Sequence, residues 1–148
     1  MCKSLHRMKL REAEQEIIEE FTLLDGWEER YEHLIALGKE LPRIPEKDRT
    51  ENKLIRGCQS QVWLDALPGK DSIILQADSD AIFPRGIAAL MVRAYSGQSL
   101  RDIITSKAEF ISKIGFREFL SPTRTNGMLA MLKQIKLYAM AFEMNASA

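Results

Sequence analysis

The sequence predicts an α+β domain in which an N-terminal helix pair precedes a small antiparallel sheet and further helices. Apolar residues recur every three or four positions through most of residues 10–41 and 82–142, which is typical of amphipathic helices. Between these regions, two short apolar runs flank the turn sequence PGKD at residues 68–71. The length of 148 residues suits one domain, in which we expect residues 1–9 to be a flexible extension.

Two apolar stripes separated by Asp25-Gly26 predict the first helices. The first stripe contains Leu10, Ala13, Ile17, Phe21 and Leu24, and the second contains Trp27, Tyr31, Leu34, Leu37 and Leu41. Asp25 can cap the second helix, and so short a break favours an antiparallel pair. Residues 42–50, rich in proline and charge, indicate a loop, and residues 51–60 fit no regular element.

Residues 61–67 and 72–77 are predicted strands, which the turn joins into a hairpin. The sequence DSD at residues 78–80 then precedes a central helix. Pro84 lies in its first turn, where a missing N–H is best tolerated, and Gly97 ends it.

The C-terminal part is predicted to be helical throughout. A short helix begins at Ser99, and another covers residues 110–119. Ser121 as N-cap and Pro122 at the first position open the last helix. Its buried side consists of Met128, Met131, Leu132, Ile135, Tyr138 and Phe142.

Charge and hydropathy argue against several classes of protein. Lys plus Arg and Asp plus Glu both number 21, so the chain lacks the basic excess typical of nucleic-acid-binding proteins. The N-terminus lacks the apolar stretch of a secretory signal, and the longest apolar run, residues 87–92, is too short to cross a bilayer. We therefore expect a cytoplasmic protein without nucleic-acid or membrane partners.

The two cysteines, Cys2 and Cys58, cannot by themselves supply the four ligands of an ordinary iron–sulfur cluster or structural zinc site. We therefore predict no metal site. A disulfide between them is disfavoured in a reducing compartment.

The segment GCQSQVW places Cys58 in surroundings that suit a reactive thiol. Gly57 permits an unusual turn or the close approach of another molecule. Gln59 and Ser60 suit a loop that offers hydrogen bonds better than they suit a buried strand. Arg56 is a cation of the kind that lowers a cysteine pKa. The alternative is that Cys58 is a small buried packing residue, as free cysteines often are.

Three segments, in order, resemble the SufE family, cysteine-desulfuration proteins that accept sulfur from a cysteine desulfurase. GCQSQVW resembles the active-site segment of that family. DSD at residues 78–80 is similar to its element before the central helix, and SPTRTNGM at residues 121–128 to its TPxRxxGL element. The resemblance covers residues 14–141. Ser121, Met128 and Pro84 are mild departures from the family pattern, and the extension with Cys2 has no counterpart.

The resemblance implies that Cys58 accepts the terminal sulfur of a desulfurase persulfide and carries it as its own persulfide. The chain would stimulate that enzyme and relay the sulfur to an iron–sulfur scaffold. It implies a SufS-type partner that carries pyridoxal phosphate, no cofactor in this chain, a monomer or weak homodimer, and a loop that shelters the thiol in an apolar cavity. The alternatives are a non-covalent activator of the desulfurase, with Cys58 structural, and a scaffold, which needs several thiols.

Two residues of the last predicted helix break local rules. Arg124 opposes the helix dipole by about 0.3–1 kcal/mol, and Gly127 costs up to about 1 kcal/mol against alanine. Such exceptions tend to mark function, although an ion pair of Arg124 or close packing at Gly127 would also explain them. The matching arginine of the family favours a role for Arg124 in organising the Cys58 loop or the partner interface.

Asp80 has two compatible interpretations. It can cap the central helix, which is worth about 1 kcal/mol, and the resemblance implies an influence on the order of the thiol loop. A Cys–His hydrolase would need His6 or His33 against Cys58, but other hydrolase signatures are absent. We predict that His33 lies at the surface and Trp63 in the core.

Overall fold

The computed structural model describes residues 9–147, and it confirms the α+β class. The proposed extension, with Cys2 and His6, therefore lies outside the described residues except for Lys9. The helices are α1 (Leu10–Thr22), α2 (Gly26–Glu40), α3 (Ile82–Tyr95), α4 (Leu100–Thr105), α5 (Glu109–Lys113), α6 (Phe116–Phe119) and α7 (Pro122–Ser147). The strands are β1 (Val62–Pro68) and β2 (Ile73–Ser79). None of the helices within residues 9–147 is long and apolar enough to cross a membrane.

The two strands form an antiparallel hairpin whose register runs from Val62 opposite Ser79 to Pro68 opposite Ile73. β2 is longer than predicted, because residues 78 and 79 continue its pairing with β1. Trp63 is buried, as predicted. The inner face of the hairpin consists of the buried residues Val62, Leu64, Ala66, Ile73, Leu75 and Ala77. This face packs on the helices, as the alternation of apolar residues along both strands requires.

α2 and α3 touch backbone to backbone at two glycines. A Cβ atom at Gly38 would lie 2.8 Å from the nitrogen of Gly86, and one at Gly86 would lie 2.3 Å from the carbonyl oxygen of Leu34. Side chains at either glycine would force the helices apart. This contact brings Tyr31 and Ile35 of α2 beside the first turns of α3, where they line the cavity described below.

A charged cluster fastens α1 to α2 and α3. Arg93 donates to both carboxylate oxygens of Glu20, at 2.7 and 2.8 Å, and to Glu16 at 3.0 Å. His33 also contacts Glu20, and its ring meets Phe21 edge-on at 5.1 Å. The prediction of a surface position for His33 is confirmed only in part, since the side chain is 27% exposed and lies between helices.

Two predicted details of the helices also differ in the structure. Trp27 is 55% exposed, so it does not belong to the buried stripe of α2. The helix predicted at residues 110–119 is divided at Gly115, whose φ of +81° is left-handed and disfavours other residues.

Ser121 caps α7 as predicted, because its Oγ accepts the N–H of Arg124 at 3.3 Å.

Candidate functional site

Cys58 lies on a five-residue loop before β1, the excursion formed by residues 56–60. Before the excursion, the N–H of Ile55 donates to the carbonyl oxygen of Val62 at 2.8 Å. Within it, Gly57 adopts a φ of +96°, which other residues rarely adopt, so this glycine shapes the turn that presents the thiol. The excursion is short and is closed at its base by the hydrogen bond between Ile55 and Val62.

The thiol faces the first turns of α7. Its Sγ donates a long hydrogen bond to the carbonyl oxygen of Gly127 at 3.7 Å. A Cβ atom at residue 127 would lie 3.4 Å from that Sγ, with no other neighbour within 4 Å. Residue 127 thus lies beside the thiol, but a Cβ there would meet Cys58 at an ordinary contact distance, so close packing does not require the glycine.

Burial raises the pKa of the Cys58 thiol above its ordinary value. Arg56, which the sequence suggested as a cation that lowers this pKa, is exposed. A free cysteine is only about 3% thiolate at neutral pH, and burial reduces that fraction further. The thiol at rest is therefore protonated and a weak nucleophile.

Cys58 opens on a cavity of about 610 Å³ between the excursion, α2, α3 and α7. Its walls are mostly apolar, and Gln59 and Ser60 contribute polar groups at the edge. The lining residues include Tyr31, Ile35, Ile82, Phe83, Pro84, Ile87, Met128 and Met131. A volume of this size falls in the range of ligand-binding pockets and greatly exceeds the space that one additional sulfur atom needs.

Arg124 also lines this cavity, on the first turn of α7. Its guanidinium lies 4.2 Å from the ring centroid of Phe83 and 5.8 Å from that of Tyr31, in cation–π geometry. No carboxylate within residues 9–147 pairs with it, so the ion pair considered as an alternative does not explain this residue. Its N–H groups remain available to a group that enters the cavity mouth.

Asp80 fastens the far end of the excursion. Its carboxylate accepts the N–H of Gln61 at 3.2 Å, and its own N–H donates to the carbonyl oxygen of Gln61 at 3.3 Å. The interpretation as N-cap is wrong, because α3 begins at Ile82, with Ala81 at the cap position and no side-chain cap. The reason is the longer β2, which points Asp80 at the start of β1 instead of at the helix.

Asp78 is the residue of this region that sequence reasoning missed. Its side chain is fully buried. It accepts hydrogen bonds from the backbone of Ile44 at 2.9 Å and of Ser79 at 2.8 Å, and from Arg49 at 3.0 Å and Arg85 at 3.1 Å. A charged residue directly after an alternating strand was the available signal, but two of its partners, Ile44 and Arg49, lie 34 and 29 residues away in the sequence.

A family model described as an Fe-S metabolism associated domain, SufE, matches residues 15–139. The chain belongs to the SufE family. An uncharacterized SufE-like protein of Rhizobium etli is 41% identical over 126 residues, which cover 82% of this chain and 85% of that protein. SufE-like protein 1 of Arabidopsis thaliana, named chloroplastic/mitochondrial, is 34% identical over 130 residues, 87% of this chain but 35% of that longer protein.

The fold of this SufE-family chain is also found in a solved structure. The solution structure of a hypothetical protein from Thermus thermophilus matches with a TM-score of 0.75, over 89% of this chain and 96% of that one. At 20% identity, this match shows the fold alone. Membership of the SufE family supports a role in iron–sulfur metabolism together with a cysteine desulfurase.

Within residues 9–147, no group of three or more histidine, cysteine, aspartate or glutamate side chains is placed to hold a metal ion. Cys58 is the cysteine of this part of the chain, and its thiol is free. A cluster scaffold needs several ligating thiols, which these residues do not offer. The site is instead suited to chemistry on one sulfur atom.

Proposed function

We propose that Cys58 accepts sulfur from a persulfide on a SufS-type cysteine desulfurase and relays it to an iron–sulfur scaffold. The observation that carries this proposal is a single thiol at the edge of an apolar cavity, on a short excursion with one weak hydrogen bond from its sulfur. Membership of the SufE family supports the partner.

The transfer is an attack of the Cys58 thiolate on the outer sulfur of the desulfurase persulfide. The bond between the two partner sulfur atoms breaks, and a new sulfur–sulfur bond forms at Cys58. The desulfurase cysteine leaves as a thiolate and takes up the proton that Cys58 gave up. No electrons are gained or lost overall, so neither an oxidant nor a reductant is needed.

Burial serves this chemistry in the resting state. A protonated thiol in apolar surroundings resists oxidation, and a persulfide held there is kept from water. Because the same burial weakens the nucleophile, docking of the desulfurase must move residues 56–60 out of the cavity. The hydrogen bond to Gly127, at 3.7 Å, offers little resistance to that movement.

The proposal also covers the cofactor, the compartment and the oligomeric state. The desulfurase carries pyridoxal phosphate, and this chain needs no cofactor or metal of its own. The protein acts in the cytoplasm as a monomer or weak homodimer.

The Cys58→Ser variant tests the relay. With desulfurase and free cysteine supplied, mass spectrometry of the wild type should show one added sulfur atom on the peptide that contains Cys58. The variant should gain none and should fail to stimulate desulfurase turnover. If Cys58→Ser stimulates as strongly as the wild type, the chain is a non-covalent activator and the relay is wrong.

Arg124 is proposed to bind polar groups of the docked desulfurase with its unpaired N–H groups. Arg124→Ala should lower desulfurase stimulation at least about tenfold, because a charged hydrogen bond is worth about 1.5–3 kcal/mol. Lys53→Ala, which removes a cation outside the cavity lining, is the control and should keep full stimulation. Loss of soluble protein in Arg124→Ala would assign Arg124 a structural role, and unchanged stimulation by the folded variant would reject its contact with the desulfurase.

A further inference from the structure

Two large apolar side chains are exposed beside the Cys58 cavity. Ile82, the first residue of α3, lines the cavity and is 68% exposed. Trp27, on the first turn of α2, is 55% exposed. Its ring meets that of Tyr31 edge-on at 5.4 Å, and Tyr31 in turn meets Phe83 at 4.7 Å. A row of aromatic rings therefore leads from the protein surface at Trp27 to the cavity wall beneath Arg124.

The interior of this chain does not explain the exposure of Trp27. Its stripe on α2 predicts burial, yet the buried residues of that helix are Leu34 and Gly38. Tryptophan buries about 150–250 Å² when it is covered, and it is among the residues that dominate the energy of protein interfaces. An exposed tryptophan beside an exposed isoleucine is thus suited to burial by a second protein.

The chemistry of Cys58 determines which protein covers this patch. Sulfur transfer needs the two sulfur atoms at bonding distance, so a donor protein must dock where residues 56–60 leave the cavity. Ile82 forms part of the cavity wall and is exposed to solvent, so it lies beside that docking position. Trp27 extends the same apolar surface by way of Tyr31, a second residue of the wall.

The surroundings of Trp27 are acidic. The side chains of Asp25, Glu28, Glu29 and Glu32 are exposed around the first two turns of α2. Arg30, the basic residue among them, points inward and donates to the carbonyl oxygen of Ile114 at 2.8 Å. The partner surface that fits this rim has an apolar centre bordered by lysine or arginine side chains.

We propose that Trp27 and Ile82 are the apolar anchors by which the cysteine desulfurase docks, and that the carboxylates around Trp27 pair with basic residues of that enzyme. This inference rests on the proposed function, since it takes the desulfurase to be the sulfur donor. Trp27 and Ile82 contribute most of the affinity, and the carboxylates speed the encounter of the two proteins.

Titration calorimetry between the full chain and a SufS-type desulfurase tests the anchors. Trp27→Ala and Ile82→Ala should each raise Kd at least about tenfold, equivalent to about 1.4 kcal/mol. Leu67→Ala is the matched control, because Leu67 is a 50% exposed apolar residue on the hairpin, outside the cavity lining, and its Kd should change less than about twofold. Equal effects of the three substitutions, or none, would overturn the inference.

Circular dichroism and thermal unfolding show whether each variant is folded. If Trp27→Ala loses its fold, Ile82→Ala still tests the anchors. We expect this variant to fold, because a side chain that is 68% exposed contributes little to the core. An unchanged Kd in folded Ile82→Ala would then reject the anchors.

The charges are tested by the association rate at low and high salt. The double variant Glu28→Gln/Glu32→Gln should associate more slowly at low salt and show a weaker dependence on salt than the wild type. The control is Glu46→Gln/Glu51→Gln, two exposed carboxylates outside the cavity lining. If both double variants keep the salt dependence of the wild type, the carboxylates around Trp27 do not face the enzyme.

The wild type separates failure of this inference from failure of the proposed function. If wild-type Cys58 takes sulfur from the desulfurase while folded Trp27→Ala and Ile82→Ala bind as tightly as wild type, the relay stands and the anchors are wrong. If wild-type Cys58 gains no sulfur from the desulfurase although it does from glutathione persulfide, the proposed donor is wrong, and the docking inference falls with it.

Discussion

Cys58 and Asp78 lie near the same end of the hairpin, where β1 begins and β2 ends. They differ in burial and in the number of hydrogen bonds that hold the side chain. Asp78 is fully buried and accepts four hydrogen bonds, two from arginines and two from the backbone, all between 2.8 and 3.1 Å. Cys58 is half-buried in apolar surroundings with one hydrogen bond from its sulfur, at 3.7 Å. The Asp78 carboxylate is fixed by four hydrogen bonds, whereas the Cys58 thiol is covered by apolar side chains and has one weak hydrogen bond.

The pKa values follow the same division. Burial alone raises the pKa of Cys58. Burial also acts to raise the pKa of Asp78, but the hydrogen bonds from Ile44 and Ser79 and the charges of Arg49 and Arg85 outweigh it and lower that pKa. The lowered pKa favours the charged form of the Asp78 carboxylate, whereas the raised pKa favours the neutral form of the Cys58 thiol. We infer that Asp78 anchors the frame beside residues 56–60.

Asp78→Asn should give the largest effect on stability. The substitution leaves Arg49 and Arg85 without their shared carboxylate, and breaking a buried ion pair from one side costs about 3–5 kcal/mol. Urea denaturation of both proteins measures this loss. The control is Asp80→Asn at an exposed carboxylate, which should cost at most about 1 kcal/mol. Equal losses in the two variants would mean that Asp78 is not the anchor.

The pH dependence of unfolding gives an independent measure of the same anchor. A carboxyl group with a lowered folded pKa contributes stability at pH values above its unfolded pKa, about 3.9, and loses it as pH falls through the folded value. The wild type should therefore lose stability below about pH 4. Asp78→Asn should lack this part of the acid dependence while keeping that of the other carboxylates.

The order of elements and the identity of the thiol were predictable because both depend on local patterns. Apolar periodicity gives helices and strands, and GCQSQVW is distinctive enough to single out Cys58. The anchor was not predictable, because Asp78 meets Ile44, Arg49 and Arg85 only when three separate segments have folded together. Sequence patterns report neighbours along the chain and not those across a core.

Errors at residues 27 and 80 have related physical causes. Periodicity assigns Trp27 to the buried stripe of α2, but it cannot show which positions of that stripe the rest of the chain covers, and Trp27 is 55% exposed. The cap at Asp80 depended on where β2 ends, and apolar alternation does not fix the last residue of a strand. With β2 continuing through Ser79, the same carboxylate turns to Gln61 and holds the thiol excursion.

Asp80→Ala should make Cys58 easier to reach. It removes the acceptor for the N–H of Gln61, which fastens the end of residues 56–60, and so favours conformations in which the thiol leaves the cavity. Alkylation by iodoacetamide at pH 7 should become about three- to tenfold faster, a change that corresponds to about 0.7–1.4 kcal/mol. Asp80→Asn keeps an acceptor oxygen and is the control. Unchanged alkylation in Asp80→Ala would show that this hydrogen bond does not hold the excursion closed.

Gly127→Ala should give the smallest effect, and in the opposite direction. Alanine in place of glycine within a helix stabilises it by up to about 1 kcal/mol, and the added Cβ would lie 3.4 Å from the Cys58 Sγ, an ordinary contact. The variant should therefore be slightly more resistant to urea, and its alkylation should be no faster than that of the wild type, because the methyl group adds apolar cover. Gly38→Ala is the matched control, and it should destabilise the protein because its Cβ would meet the backbone of Gly86 at 2.8 Å.

If Gly127→Ala instead destabilises the protein or speeds alkylation, the thiol is packed against α7 more tightly than one weak hydrogen bond suggests. Cys58 would then resemble Asp78 as a fixed group, and the contrast between the two sites would fail.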